Sequence, residues 1–131
     1  MKTKFADCSR VLITLPYEDD KFATVTVDWH VRVRGWDLVI PADTKTDGAS
    51  IPRFLWRVCG HPLEVPRVYA AAVHDWLYAH GHELGISRAE ADAIYYALLR
   101  HFGIAAWRAG IEYIALRFCG ARHYVKGKNE K

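Results

Sequence analysis

The run Phe22-Ala23-Thr24-Val25-Thr26-Val27-Asp28-Trp29-His30-Val31-Arg32-Val33-Arg34 alternates without a break. Val25, Val27, Trp29, Val31 and Val33 point one way, and Thr24, Thr26, Asp28, His30 and Arg32 the other. A period of two over that length predicts a strand with one dry face and one wet face. Upstream, Arg10 to Leu15 reads as a strand stopped by Pro16, followed by a polar turn from Tyr17 to Lys21. Downstream, Arg34-Gly35 turns the chain into a third strand, Trp36 to Ile40, ended by Pro41.

From Val65 onward the period is helical. Pro66 suits a first helical position, and a helix from Arg67 to His80 follows. Its main apolar stripe is Tyr69, Ala72, Val73, Trp76 and Leu77, and a second sector holds Arg67, Ala71, His74, Asp75 and Tyr78. After a loop bracketed by Gly81 and Gly85, Ser87-Arg88-Ala89-Glu90 forms a capping box that opens a helix to Phe102, closed by Gly103. A third helix, Ile104 to Cys119, aligns Ile104, Trp107, Ile111, Ile114, Ala115 and Phe118 as its expected core stripe. Strands followed by helices predict an α+β domain, a small N-terminal antiparallel β-sheet with a three-helix C-terminal half packed on it. The chain divides into a β-rich 1–41, a motif loop 42–64, a helical 65–120 and a basic tail 121–131.

With 131 residues, the chain is sized for a single domain. A hydrophobic fraction of 51% with 25% charged residues excludes wholesale disorder. No apolar run reaches the roughly 20 residues of a membrane span, and no secretory signal opens the sequence. The net charge of +3 owes much to Lys126, Lys128 and Lys131 in the tail, which reads as a solvated end and argues against nucleic acid as a partner. Cys8, Cys59 and Cys119 form an odd set without Cys-x-x-Cys spacing, so ordinary thiols in a reducing compartment are expected. Cys59, His61, Cys119 and His123 have spacings that match no common structural zinc pattern.

The polar residues on otherwise apolar helices carry the candidate chemistry. His74 and Asp75 are adjacent inside the first helix, and Asp92 sits at the edge of the buried face of the second. A carboxylate there is costly unless paired or bound to a cation. Arg88, one turn earlier, is the simplest partner for Asp92, and Arg53 or Arg57 for the doublet. The alternative is convergence, because consecutive helices joined by a short loop pack antiparallel. His74, Asp75 and Asp92, with Asp47 as further ligand or general base, would then hold zinc, manganese or magnesium. The connection Pro41 to Pro52 reads as a sheet-to-helix link in which Asp47-Gly48 turns and Ser50 caps a short helix through Arg57. Loops on rigid scaffolds often carry sites, so Asp47, Ser50 and Arg53 are candidates, with Tyr78 and Arg88 as binding residues.

Thr46-Asp47-Gly48-Ala49-Ser50-Ile51-Pro52, His74-Asp75-Trp76-Leu77-Tyr78, and Arg88 with Ala91-Asp92 together resemble the signature of the domain of unknown function 1353 family. The resemblance runs from about Phe22 to Gly120 and brings no established activity. It implies a phage or prophage protein, found in the bacterial host cytoplasm or incorporated in the virion, with phage structural proteins or a host factor as partners. A second resemblance, to the His-Asp phosphohydrolases, rests on the His74-Asp75 doublet, with Asp92 as a later aspartate and His61 or His30 as the earlier histidine. It bears on chemistry alone, since the all-helical core of that superfamily is absent. Two functions follow as expectations: a small divalent-metal-assisted hydrolase, or a non-catalytic tail, virion or host-factor-binding protein. Thermal melts separate a site from a scaffold. A carboxylate cluster built for a ligand should tolerate Asp75→Asn and Asp92→Asn without loss of stability. A scaffold pair should lose about 3–5 kcal/mol.

Overall fold

The structure, a computed structural model, describes residues 6–9, 11, 13–14, 23–46 and 67–119, excepting the side chain of Cys119. The expected α+β architecture is present, strands first and helices after. The strands are β1 (Ala6–Asp7), β2 (Ile13–Thr14), β3 (Ala23–Val25), β4 (Trp29–Val33), β5 (Trp36–Ile40) and β6 (Lys45–Thr46). The helices are α1 (Arg67–His80), α2 (Arg88–His101) and α3 (Ala106–Cys119), with a 3₁₀ turn, Gly81–Leu84, between the first two.

The strands make two three-stranded antiparallel sheets, in the orders β1-β4-β5 and β2-β3-β6, where a single sheet was expected. The long alternating run breaks at Thr26–Asp28, since the Asp28 carboxylate accepts the Ala42 amide at 2.8 Å. Val27 is consequently 49% exposed and leaves the inner face on which alternation places it. On either side of the break the parity holds. Val25, Trp29, Val31 and Val33 are buried, and Asp28 and His30 face solvent. In the β4–β5 ladder Trp29 pairs Ile40 and Val31 pairs Leu38, both pairs facing the core. Arg34 and Gly35 turn this hairpin with φ of 51° and 83°, the left-handed conformation that a two-residue turn requires. β6 falls inside the region read as motif loop and pairs with β3.

Helix limits follow the sequence closely, and α1 spans Arg67–His80 as expected. The Ser87 hydroxyl accepts the Glu90 amide at 3.1 Å, one half of the capping box. The other half is replaced: the Glu90 carboxylate accepts Arg34 Nε at 2.8 Å and Trp36 Nε1 at 3.3 Å. That exchange ties the start of α2 to the β4–β5 turn and holds the Glu90 carboxyl below the usual range, through its bond to Arg34. Trp29, Tyr69 and Phe102 form an aromatic cluster where the sheet meets α1 and α2.

α3 departs from expectation. Of the stripe read as core, Ile104 is buried and Ile111 packs partly against the core, but Trp107, Ile114 and Phe118 face outward, 58%, 56% and 84% exposed. Ala109, Glu112 and Leu116 face inward instead. The cause is electrostatic. Glu112 accepts Arg67 Nε and Nη2, each at 2.8 Å, and the Tyr95 hydroxyl at 2.7 Å, so its face of the helix is drawn into the bundle. At about 100° per residue the apolar stripe then lies on the opposite side. Glu112→Gln, which leaves the Arg67 guanidinium buried beside an amide, should lose about 3–5 kcal/mol. Ile114→Asn should stay within about 0.5 kcal/mol in dilute solution. The reverse order in chemical denaturation would place the stripe in the core.

Candidate functional site

His74 and Tyr78, one turn apart on α1, both reach Asp92 on α2. The His74 Nε2–Asp92 Oδ1 distance is 2.9 Å, and the Tyr78 hydroxyl donates to the same oxygen at 2.5 Å. Asp92 Oδ2 accepts Arg117 Nη1 of α3 at 2.9 Å and lies 3.7 Å from Arg88 Nη1. The Arg88 guanidinium also donates to the Leu116 and Arg117 carbonyls, each at 3.1 Å, satisfying acceptors in the last turn of α3. Asp92 is fully buried, and its carboxylate draws together residues from all three helices.

Protonation states follow from this geometry. Burial opposes the Asp92 charge, but the donors His74, Tyr78 and Arg117 outweigh it and hold its carboxyl below the ordinary carboxylate range. An ionised carboxylate only accepts, so His74 Nε2 carries a proton. Burial likewise opposes a charged His74, and the carboxylates of Asp75 and Asp92 together overcome it, raising the imidazole above its ordinary value. His74 thus holds its second proton more readily than a free imidazole, with Nε2 committed to Asp92 and Nδ1 facing Asp75 at 3.9 Å. Burial and the adjacent Asp92 push the Tyr78 phenol up.

Of the two carboxylates, Asp75 is the one that reaches solvent, with its side chain 29% exposed. Its Oδ1 lies 3.9 Å from His74 Nδ1, and its Oδ2 accepts the hydroxyl of Thr46 in β6. The carboxylate stands at an open cleft of about 310 Å³ between α1 and the β5–β6 turn, whose walls include Asp43, Lys45, Trp76 and His80. The cleft thus offers groups of both signs.

The structure brings together His74, Asp75, Tyr78, Arg88 and Asp92 of the residues singled out in the sequence. Asp47, Ser50 and Arg53 lie outside the described residues, as do Arg57 and His61. His30 is exposed on β4, away from the cluster that the phosphohydrolase resemblance would need it to join. Among the described residues no group of three or more His, Cys, Asp and Glu is arranged to hold a metal ion. The engaged atoms are consistent with this: both Asp92 oxygens accept hydrogen bonds, and His74 Nε2 is spent on Asp92. Cys8 is partly buried, and burial pushes its thiol up to about 11, that of an inert cysteine.

Sequence reasoning missed Arg117, Thr46 and the Arg67–Glu112–Tyr95 cluster. Glu112 offered a signal, an acidic residue between Ala109 and Leu116, which the stronger apolar stripe outweighed. Arg117 offered none, since it meets Asp92 from 25 residues away.

The two shifted groups give stability a pH signature. Asp92 contributes above its unfolded value, about 3.9, and its contribution is lost as pH falls through the lower folded value. His74 contributes fully below about 6.5, and its contribution is lost as pH rises through the raised folded value. Unfolding free energy should therefore decline above pH 6.5 by up to about 1.4 kcal/mol per pH unit. Between pH 6.5 and about 8, below the range of the raised Cys8 thiol, the decline should vanish in His74→Gln, as measured by urea denaturation at a series of pH values. An identical slope in the variant would contradict a charged His74.

Comparison with known proteins places the chain. A family model described as "Protein of unknown function (DUF1353)" matches residues 23–116. A protein of Sinorhizobium fredii described as "Uncharacterized protein y4jT" is 32% identical over 84 residues, covering 62% of this chain and 23% of that protein. The chain therefore spans about a quarter of that relative's length. No solved structure matches. Among the described residues no helix is long and apolar enough to cross a membrane. The family match spans well over half the sequence, including the strands that frame the cleft and the helices that carry His74, Asp75 and Asp92: the chain belongs to the DUF1353 family.

Proposed function

We propose that the protein is a phage or prophage accessory hydrolase that works through the cleft beside Asp75. The observation that supports this is the division of labour within the His/Asp cluster. Asp92 is buried with both oxygens engaged and His74 is buried with Nε2 bonded to it, whereas the Asp75 carboxylate is oriented by Thr46 and opens to the cleft. In this reading Asp75 is the group that meets substrate, water or ion. His74 is a positioning residue, held in orientation by Asp92, Tyr78 and Arg117. A divalent ion enters this reading at Asp75, where it would lower the pKa of a bound water. Lys45 and His80 beside Asp43 and Asp75 suit a polar substrate with both charges, such as a peptide-bearing wall fragment or a phosphoester with a cationic group. A second reading, a non-catalytic tail, virion or host-factor-binding component, is favoured by one observation, the outward apolar face of α3.

The test uses the purified full chain with manganese, zinc or magnesium. Peptide, peptidoglycan-fragment and phosphoester substrates are followed by mass spectrometry. Asp75→Asn keeps an acceptor for Thr46, so the chain should stay folded by circular dichroism while turnover falls at least a hundredfold. No turnover by the parent, or equal turnover by Asp75→Asn, would remove the hydrolase reading.

A further inference from the structure

The β5–β6 turn forms one wall of the Asp75 cleft, and the amides of that wall are spent within the chain. Ala42 N donates to Asp28 Oδ1 at 2.8 Å, Asp43 N to the Val25 carbonyl at 2.7 Å, and Thr44 N to the Pro41 carbonyl at 3.3 Å. The facing wall is the C-terminal half of α1, where backbone amides serve the helix. Binding a phosphate group calls for convergent donors, most often arginine or unspent backbone amides. No arginine lines this cleft among the described residues, and Lys45 is the single ammonium.

Acceptors are better supplied. The Asp43 carboxylate makes no hydrogen bond or ion pair among the described residues. Asp75 uses Oδ2 for Thr46, and its Oδ1 stands 3.9 Å from His74 Nδ1. The turn presents Asp43 from a fixed backbone. Its φ of 72° is left-handed, a conformation aspartate tolerates, and the Val25 N–Thr44 O bond at 2.9 Å pins the turn from the other side. Trp76, partly buried against the core, lines the same space, and an indole attracts a cation to its face. The end of α1 adds the negative pole of its dipole, and Glu83 Oε1 lies 3.9 Å from His80 Nδ1 at that end.

Resting on the reading of this cleft as a substrate site, we propose that it selects substrates bearing a primary ammonium group. Asp43 binds that group, and Asp75 is left to the bond that is cleaved. Asp43 is thus the residue that determines specificity, and phosphoesters are excluded for want of donors. A volume of about 310 Å³ lies at the small end of ligand sites, so a side chain, a sugar ring or a chain end enters, not a folded partner.

Nuclear magnetic resonance titrations of the full chain at pH 7, with chelator present so that no metal contributes, test this. The probes are a tripeptide amide with a free amino terminus, a tripeptide blocked at both ends with a central lysine, glucosamine, and phenyl phosphate. An uncharged tripeptide blocked at both ends is the control. At least one ammonium probe should shift the backbone signals of the β5–β6 turn and of the last two turns of α1 at millimolar concentration. The control and phenyl phosphate should not. Which ammonium probe binds identifies the source of the group. Asp43→Asn, which keeps the left-handed backbone, should weaken that binding roughly fivefold, the effect of one exposed charge pair. Lys45→Gln should tighten it, by removing a like charge from the cleft. Binding of an ammonium probe by a chain that shows no turnover supports the inference while removing the hydrolase reading. Silence toward every ammonium probe overturns the inference, even if the chain turns over a substrate of another kind. Equal binding of phenyl phosphate, or an Asp43→Asn variant that binds as the parent does, overturns it as well.

Discussion

Everything in the helical half depends on one buried carboxylate. Asp92 has no access to water, and a charge there is sustained only by the donors that surround it. Those donors come from α1, as His74 and Tyr78, and from α3, as Arg117, with Arg88 of α2 close by. Arg88 also binds carbonyl groups in the last turn of α3, so the same cluster sets how α3 ends. A second buried set, Arg67, Glu112 and Tyr95, fixes the rotation of α3 from the other end of the interface. The two sets meet where the His74 ring packs against Tyr95, with centroids 5.0 Å apart. Together they hold three short helices whose packing surface is rich in alanine, where dispersion alone would specify little.

This arrangement separates a buried side chain from a solvent-facing one within a one-residue step along α1. His74 turns inward and becomes the bridge between carboxylates. Asp75 turns toward β6 and the cleft, where it retains an exposed surface. The imidazole behind Asp75 is biased toward its charged form by the two carboxylates. In the proposed reading, chemistry begins at Asp75 and the groups across the cleft. The family to which the chain belongs brings no activity to choose among substrates.

Much of the fold was legible because its signals are local. Pro66 and Gly81 bracket α1, Ser87 caps α2, and Gly103, at φ of 98°, lets the chain turn after it. Alternation assigned Trp29, Val31 and Val33 to the core correctly. The failures share a cause, an interaction between residues distant in sequence. Asp28 breaks the long strand by bonding to Ala42, Glu90 leaves its cap for Arg34, and Glu112 turns α3 about its axis by pairing with Arg67. Periodicity reports that α3 has an apolar stripe but is silent on which side the bundle lies. Likewise His74, Asp75 and Asp92 were recognisable as a converging set. That Asp92 would be saturated by Arg117 was not, since no spacing rule links α2 to the far end of α3.

The charge state of His74 is the point on which this account turns, and it is directly observable. Long-range proton–nitrogen correlation spectra of the histidine side chains, recorded from pH 5 to pH 9, report the protonation of both ring nitrogens. The account predicts that His74 is half titrated above pH 6.5, the value of an unperturbed imidazole, with Nε2 protonated throughout by its bond to Asp92. A His74 half titrated at or below pH 6.5, or one that loses its Nε2 proton first, would contradict it.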